Sequence, residues 1–179
     1  MTQRNYEGTK KIVLMGLDNS GKTSITLSLM GLKNIPSFCS LKPTKQFFIN
    51  KFKMLETEFS IWDFGGQEEF RKDYLTNFKT YIKGTDKFIY IIDIQDTKRY
   101  DQALEYLDSI VNLLEKDNSS VDFSIFLHKN DPDLRITNKE LTEEIIDKLI
   151  SNLKEIIPPT FKYNLFKTSI YTIFQKSKV

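Results

Sequence analysis

At 179 residues the chain is long enough for one ordinary domain and too short for two, and a core of that size needs no disulfide or metal staple. Its net charge is +2, with the basic residues spread along the chain, which argues against a dedicated nucleic-acid surface. No apolar run approaches the roughly 20 residues that span a bilayer, and the first ten residues hold no apolar signal-peptide segment.

Strand-like and helix-like stretches alternate along the chain. Residues 11–15 form a short β-branched run ending at a glycine, and residues 22–32 follow with helical spacing at Ile25, Leu29 and Leu32. Two extended stretches, 46–54 and 58–63, flank a polar turn at Glu56-Thr57 and predict a hairpin. The run KFIYIID over 87–93 is apolar enough for a strand buried on both faces. A helix is expected next, with Leu104, Leu107, Val111 and Leu114 on one stripe, and then a second buried strand over 121–127. Thr137 or Asn138 is a candidate cap for a helix carrying Leu141, Ile145, Leu149, Leu153 and Ile156, stopped by Pro158-Pro159. Residues 163–168 predict the last strand. Such repeated units imply an α/β fold with a mostly parallel sheet and helices on both faces. Ligands in these sheets bind beyond the carboxyl ends of the strands.

Four of the five chemically loaded segments follow predicted strands. The first, Gly16-Leu17-Asp18-Asn19-Ser20-Gly21-Lys22-Thr23, has the form G-x-x-x-x-G-K-T between a strand and a helix. Its glycines let backbone N–H groups close around phosphate oxygens at a helix N-terminus. Lys22 is expected to reach the β- and γ-phosphates and Thr23 to give its hydroxyl to Mg²⁺; Asp18, Asn19, Ser20, Gly21 and Ser24 complete the phosphate-binding set. The second, Trp62-Asp63-Phe64-Gly65-Gly66-Gln67, offers Asp63 as a carboxylate for Mg²⁺ through water. There the Gly66 N–H can meet the γ-phosphate, and Gln67 can orient an attacking water. The exception to strand-end placement is Thr44, in the loop before the hairpin, which can serve both Mg²⁺ and γ-phosphate, with Ser40 as the competing candidate. The fourth segment is His128-Lys129-Asn130-Asp131. Asp131 can accept N1–H and N2–H of guanine, a pair adenine cannot supply, while the stem of Lys129 covers the base. Last, Ser169 and the backbone N–H of Ile170, within 168–171, can face the guanine carbonyl.

With these elements in order, the chain resembles the Ras superfamily of small GTPases over residues 8–171. GLDNSGKT and the paired glycines of WDFGGQ are similar to the Arf and Arf-like branch. His128, where most relatives carry Asn, the TSI at 168–170 and the long 67–93 segment are similar to the Rag/Gtr branch. The resemblance implies a three-layer P-loop NTPase G domain with a six-stranded sheet, occupying 1–179 as one domain. Residues 1–9 are expected to be a flexible segment and the closing C-terminal helix to be short or truncated. It implies GTP/GDP and Mg²⁺ as ligands, and an exchange factor, a GTPase-activating protein and effectors as partners, in a homodimer or heterodimer if any.

Thr2 excludes N-myristoylation, and no cysteine stands at the C-terminus for prenylation. A cytoplasmic chain with no stable membrane anchor, recruited peripherally through partners, is expected, and the lone Cys39 suits a reducing compartment. The four arginines are Arg4, Arg71, Arg99 and Arg135, none of them between the phosphate loop and the hairpin, where a cis arginine finger would sit. Slow hydrolysis is therefore expected unless a partner supplies the charge. Two rivals are a hydrolysis-poor scaffold in a Rag-like heterodimer and an ATP-dependent phosphotransferase. The arginine census argues against the second, which needs an arginine-bearing lid.

Overall fold

The structure, a computed structural model, describes residues 8–31, 41–117 and 120–170. Cys39, Ser40, Leu32, Tyr171, the segment before Gly8 and the closing C-terminal helix lie outside the described residues.

The elements in chain order are β1 (Lys10–Met15), α1 (Lys22–Leu29), β2 (Phe47–Met54), β3 (Thr57–Phe64), α2 (Glu68–Thr76), α3 (Phe78–Ile82) and β4 (Lys87–Asp93). A 3₁₀ turn (Thr97–Arg99) leads into α4 (Tyr100–Lys116), followed by β5 (Asp122–His128), α5 (Leu134–Thr137), α6 (Glu143–Ile156) and β6 (Asn164–Lys167). The six strands form one sheet in the order β2-β3-β1-β4-β5-β6, with β2 antiparallel to β3 and every other pair parallel. This is the expected mostly parallel sheet.

Strand periodicity divides the core between the two faces. On one face Val13, Met15, Phe88, Tyr90, Ile92, Phe123, Ile125 and Leu127 meet the buried stripe of α4 (Leu104, Leu107, Val111, Leu114) and Ile146, Leu149 and Leu153 of α6. On the other, Leu14, Ile61, Ile89 and Ile91 meet Ile25 of α1. Alternate residues of β1 and β4 therefore serve opposite faces, as the period of two in a strand requires. Both strands are buried twice, which explains their unbroken apolar runs.

Several boundaries differ from expectation. The cap of α6 is Thr142, whose hydroxyl accepts the N–H of Ile145; Thr137 instead ends the single turn α5. A cap one turn later became possible because Leu141, buried before the helix begins, anchors the entering chain. The hairpin turns at Leu55-Glu56 rather than Glu56-Thr57, and β6 is two residues shorter than expected. Leu29 is 44% exposed, so among the described residues of the apolar stripe read on α1 only Ile25 is buried. The 67–93 segment holds two helices separated at Asn77, whose side chain turns back to the Asp73 carboxylate at 2.8 Å.

Candidate functional site

The phosphate loop joins β1 to α1, and its C-terminal end is set by Gly21, the N-cap of α1, at φ 94°. A side chain there would be strained by the backbone alone. It would also place a Cβ 2.5 Å from His128 Cδ2, so His128 packs directly on the phosphate loop. Lys22 is 5% exposed and folds back over the loop, donating to the carbonyls of Gly16 at 3.1 Å and Leu17 at 2.6 Å and to Ser20 Oγ at 3.3 Å. Burial pushes its ammonium down to about 8, partly opposed by Asp63 and Asp18 and reinforced by Arg71 and Arg99.

Thr23, Thr44 and Asp63 converge. The Thr23 hydroxyl donates to Asp63 Oδ2 at 2.6 Å and lies 3.1 Å from the Thr44 hydroxyl. Asp63 is fully buried, and its Oδ1 has no hydrogen-bond partner among the described residues. Burial raises its carboxyl above its ordinary value, against the Thr23 hydrogen bond and the charge of Lys22. A buried acceptor left unpaired costs roughly 1–3 kcal/mol, so this oxygen calls for a cation or a donor. Three hard oxygen groups, one of them a carboxylate with an orphaned oxygen that can act through water, suit Mg²⁺ with its retained waters.

Gly66 leans on the phosphate loop. A Cβ at Gly66 would fall 2.0 Å from the Asp18 nitrogen and 2.1 Å from the Leu17 carbonyl carbon, so only glycine permits this approach. Gln67 follows as N-cap of α2. A cleft of about 250 Å³ runs between residues 18–24, the loop 41–44 and Gly66-Gln67. Residues of the phosphate motif, Thr44, Gly66 and Gln67 thus line one cavity.

The residues expected to read the base form a second cluster at the ends of β5 and β6. Asp131 Oδ1 accepts the Ser169 hydroxyl, and its Oδ2 lies 3.3 Å from Gln95 Nε2. That amide also donates to the Lys129 carbonyl at 2.8 Å. The Lys129 ammonium pairs with Asp93 at 2.7 Å. His128 Nδ1 lies 2.9 Å from Thr168 Oγ1, and burial lowers its pKa. Its hydrogen bond therefore goes to the segment that follows β6, while its contact with the phosphate loop is packing against Gly21. Ile170 is partly buried against the smaller apolar cluster.

Sequence patterns did not mark Gln95, Arg99, Gln46, Tyr74 or the burial of Arg71. Arg99 reaches Asp18 of the phosphate loop at 2.7 Å. Arg71 is 9% exposed with its guanidinium 5.2 Å over the Tyr106 ring. The arginine-free stretch before the hairpin holds in sequence, yet Arg99 reaches the phosphate loop through space, and the charge of Arg71 is felt at Lys22. Neither lies in a motif; each is placed by the packing of α2 or α4.

Sheet order, phosphate loop and strand-end clefts together define a small GTPase of the P-loop class. The ADP-ribosylation factor family model matches residues 1–172, and the chain belongs to that family. It is 29% identical to ADP-ribosylation factor-like protein 2 of Dictyostelium discoideum, over 78% of this chain and 71% of that protein. It is 32% identical to ADP-ribosylation factor-like protein 3 of Chlamydomonas reinhardtii, over 72% and 67%. Ras-related GTP-binding protein C of Mus musculus is 30% identical over 93% of this chain and 42% of its own length. The solved Arl6 (BBS3) small GTPase of Trypanosoma brucei, with bound nucleotide analogue GppNp, shares the fold at a TM-score of 0.63 and 20% identity, covering 90% of this chain and 87% of that one. As a member of this family the chain is a GTP-binding molecular switch.

Proposed function

We propose that the cleft binds GTP or GDP together with Mg²⁺ and hydrolyses GTP slowly unless a partner assists. The observation that carries this is the meeting of Thr23, Thr44 and Asp63 beside an orphaned Asp63 oxygen. Bound there, Mg²⁺ would neutralise charge developing on the phosphates. Lys22 exchanges its loop carbonyls for phosphate oxygens, an exchange that returns the ammonium to an anionic partner. The N–H groups of residues 18–24 cradle the phosphates at the start of α1. Gly66 presents its N–H to the γ-phosphate, and Gln67 orients the attacking water. Asp131, held by Ser169 and Gln95, reads guanine, with the Ile170 N–H facing the base carbonyl and the stem of Lys129 covering the base.

Regulators and effectors complete the cycle: an exchange factor, and a GTPase-activating protein that supplies positive charge. The protein acts in the cytoplasm, with any membrane recruitment provided by partners. Among the described residues no helix is long and apolar enough to cross a membrane.

Mass spectrometry of the nucleotide retained after purification tests the base, with GDP or GTP expected and adenine nucleotide fatal to the assignment. A multiple-turnover phosphate-release assay tests the reaction. It also separates a second reading, a hydrolysis-poor scaffold in a Rag-like heterodimer, which His128 and the identity to Ras-related GTP-binding protein C favour. Zero turnover with any added partner supports the scaffold.

A further inference from the structure

Asp18 is the one acidic residue in a loop whose task is to surround a polyanion. An uncompensated carboxylate there would repel a triphosphate more than a diphosphate, because the extra charge sits at the end of the ligand that the loop and Gly66 enclose. The sequence offers no nearby cation other than Lys22, which is directed to the loop carbonyls.

The compensating charge comes from 81 residues away. Arg99 NH1 lies 2.7 Å from Asp18 Oδ1, its NH2 donates to the Asp18 carbonyl at 3.3 Å, and its Nε donates to Asp96 Oδ2 at 2.5 Å. Asp18 borders both the nucleotide cleft and a separate small recess that Arg99 and Asp96 share with Tyr100 and Ala103. The Tyr100 hydroxyl fixes this corner by donating to the Ile94 carbonyl at 2.5 Å.

We propose that Arg99 is a positioning residue for the triphosphate: it neutralises Asp18 and turns the Asp18–Asn19 peptide so that its N–H is free for the ligand. The peptide argument is geometric. C=O and N–H point in opposite directions across a trans peptide, so a carbonyl held by Arg99 aims the Asn19 N–H away from Arg99. Asn19, at φ 59°, maintains that turn. Arg99 is already shared by two carboxylates, so its charge is committed to the loop and is not available as a finger on the transferring phosphate. This accords with a switch that depends on a partner for speed.

The inference rests on the proposed nucleotide site, and one set of titrations keeps the two apart. Fluorescent GTP and GDP analogues are titrated against wild type, Arg99→Gln, Asp18→Asn and the double variant, each with Mg²⁺. Arg99→Gln is expected to shift the GTP:GDP affinity ratio against GTP by about tenfold. Asp18→Asn shifts it the other way or leaves it unchanged, and the double variant returns to within about twofold of Asp18→Asn. Equal weakening of both nucleotides in Arg99→Gln, with no rescue by Asp18→Asn, overturns the inference and leaves the nucleotide site standing. Should Arg99→Gln not fold, Asp18→Asn alone decides: a ratio moved against GTP overturns the inference. Wild-type protein that binds neither analogue overturns the site itself.

Discussion

The carbonyl oxygen of Gln46 accepts the N–H of Gly65 at 2.6 Å. The same oxygen accepts the Tyr74 hydroxyl of α2. The loop carrying Thr44 and the segment beginning at Gly65-Gly66 are therefore joined at one atom, beside the proposed γ-phosphate position. Gln46 holds φ 57°, a left-handed conformation that costs a non-glycine residue free energy. A Cβ at Gly65 would lie 2.4 Å from the Thr44 carbonyl. Movement of either segment must break this junction.

Tyr74→Phe tests the junction with little change in packing, since the ring keeps its edge-on contact with Phe64 at 4.8 Å. Loss of the hydroxyl is expected to cost about 1 kcal/mol and to speed amide exchange at Gly65. Denaturant unfolding and hydrogen exchange measure the two effects. Unchanged exchange at Gly65 would mean that Tyr74 plays no part in holding the segments together.

Base choice should respond unequally to Asp131 and Gln95. Asp131→Asn should weaken GTP binding sharply and improve xanthosine triphosphate binding, because the donor–acceptor pattern at the base is inverted. Gln95→Leu removes the amide that steadies Asp131 and the Lys129 carbonyl. It should weaken guanine nucleotides by about three- to tenfold, a loss of order one net hydrogen bond because the lost contacts position Asp131 and do not touch the base, without creating xanthosine preference. Competition titrations with the two nucleotides read both outcomes; equal GTP affinity in Asp131→Asn refutes the assignment.

Nucleotide affinity should fall as pH rises above about 8. Burial holds the free Lys22 ammonium at about 8, whereas bound phosphates favour the charged form and raise it. Binding therefore takes up a proton above pH 8, and affinity is lost by up to about tenfold per pH unit. GDP titrations from pH 7 to 10 check this. A flat profile would place Lys22 away from the phosphates.

His128 adds an acid-side dependence. Its pKa is lowered, first by burial and then by Lys129, so the neutral ring is favoured in the fold. That stability is fully present above the unfolded value of 6.5 and is lost as pH falls through the lower folded value. Wild type should lose more stability than His128→Asn between pH 7 and 5 in paired thermal melts. Parallel losses would show that the ring titrates alike in both states.

Much of this protein was legible in one dimension. The phosphate loop is a contiguous motif whose backbone conformation follows from its glycines, and WDFGGQ and HKND sit at strand ends because strand periodicity fixes where each strand stops. The apolar runs of β4 and β5 announced a sheet covered on both faces. Contacts between distant segments were not legible, because a hydrogen bond such as Gln95 to Asp131 leaves no local spacing to detect.

The sequence by itself determined the residue types of the candidate site, the strand–helix alternation and the Arf-like pattern, all of which depend on local backbone preference and short-range order. The tertiary structure decided which of those residues meet. Sheet order β2-β3-β1-β4-β5-β6 brings β3 beside β1 and so sets Asp63 against Thr23. Packing of α4 on the sheet carries Arg99 to Asp18. Charge compensation and burial act through space, so they are fixed only once the core has closed.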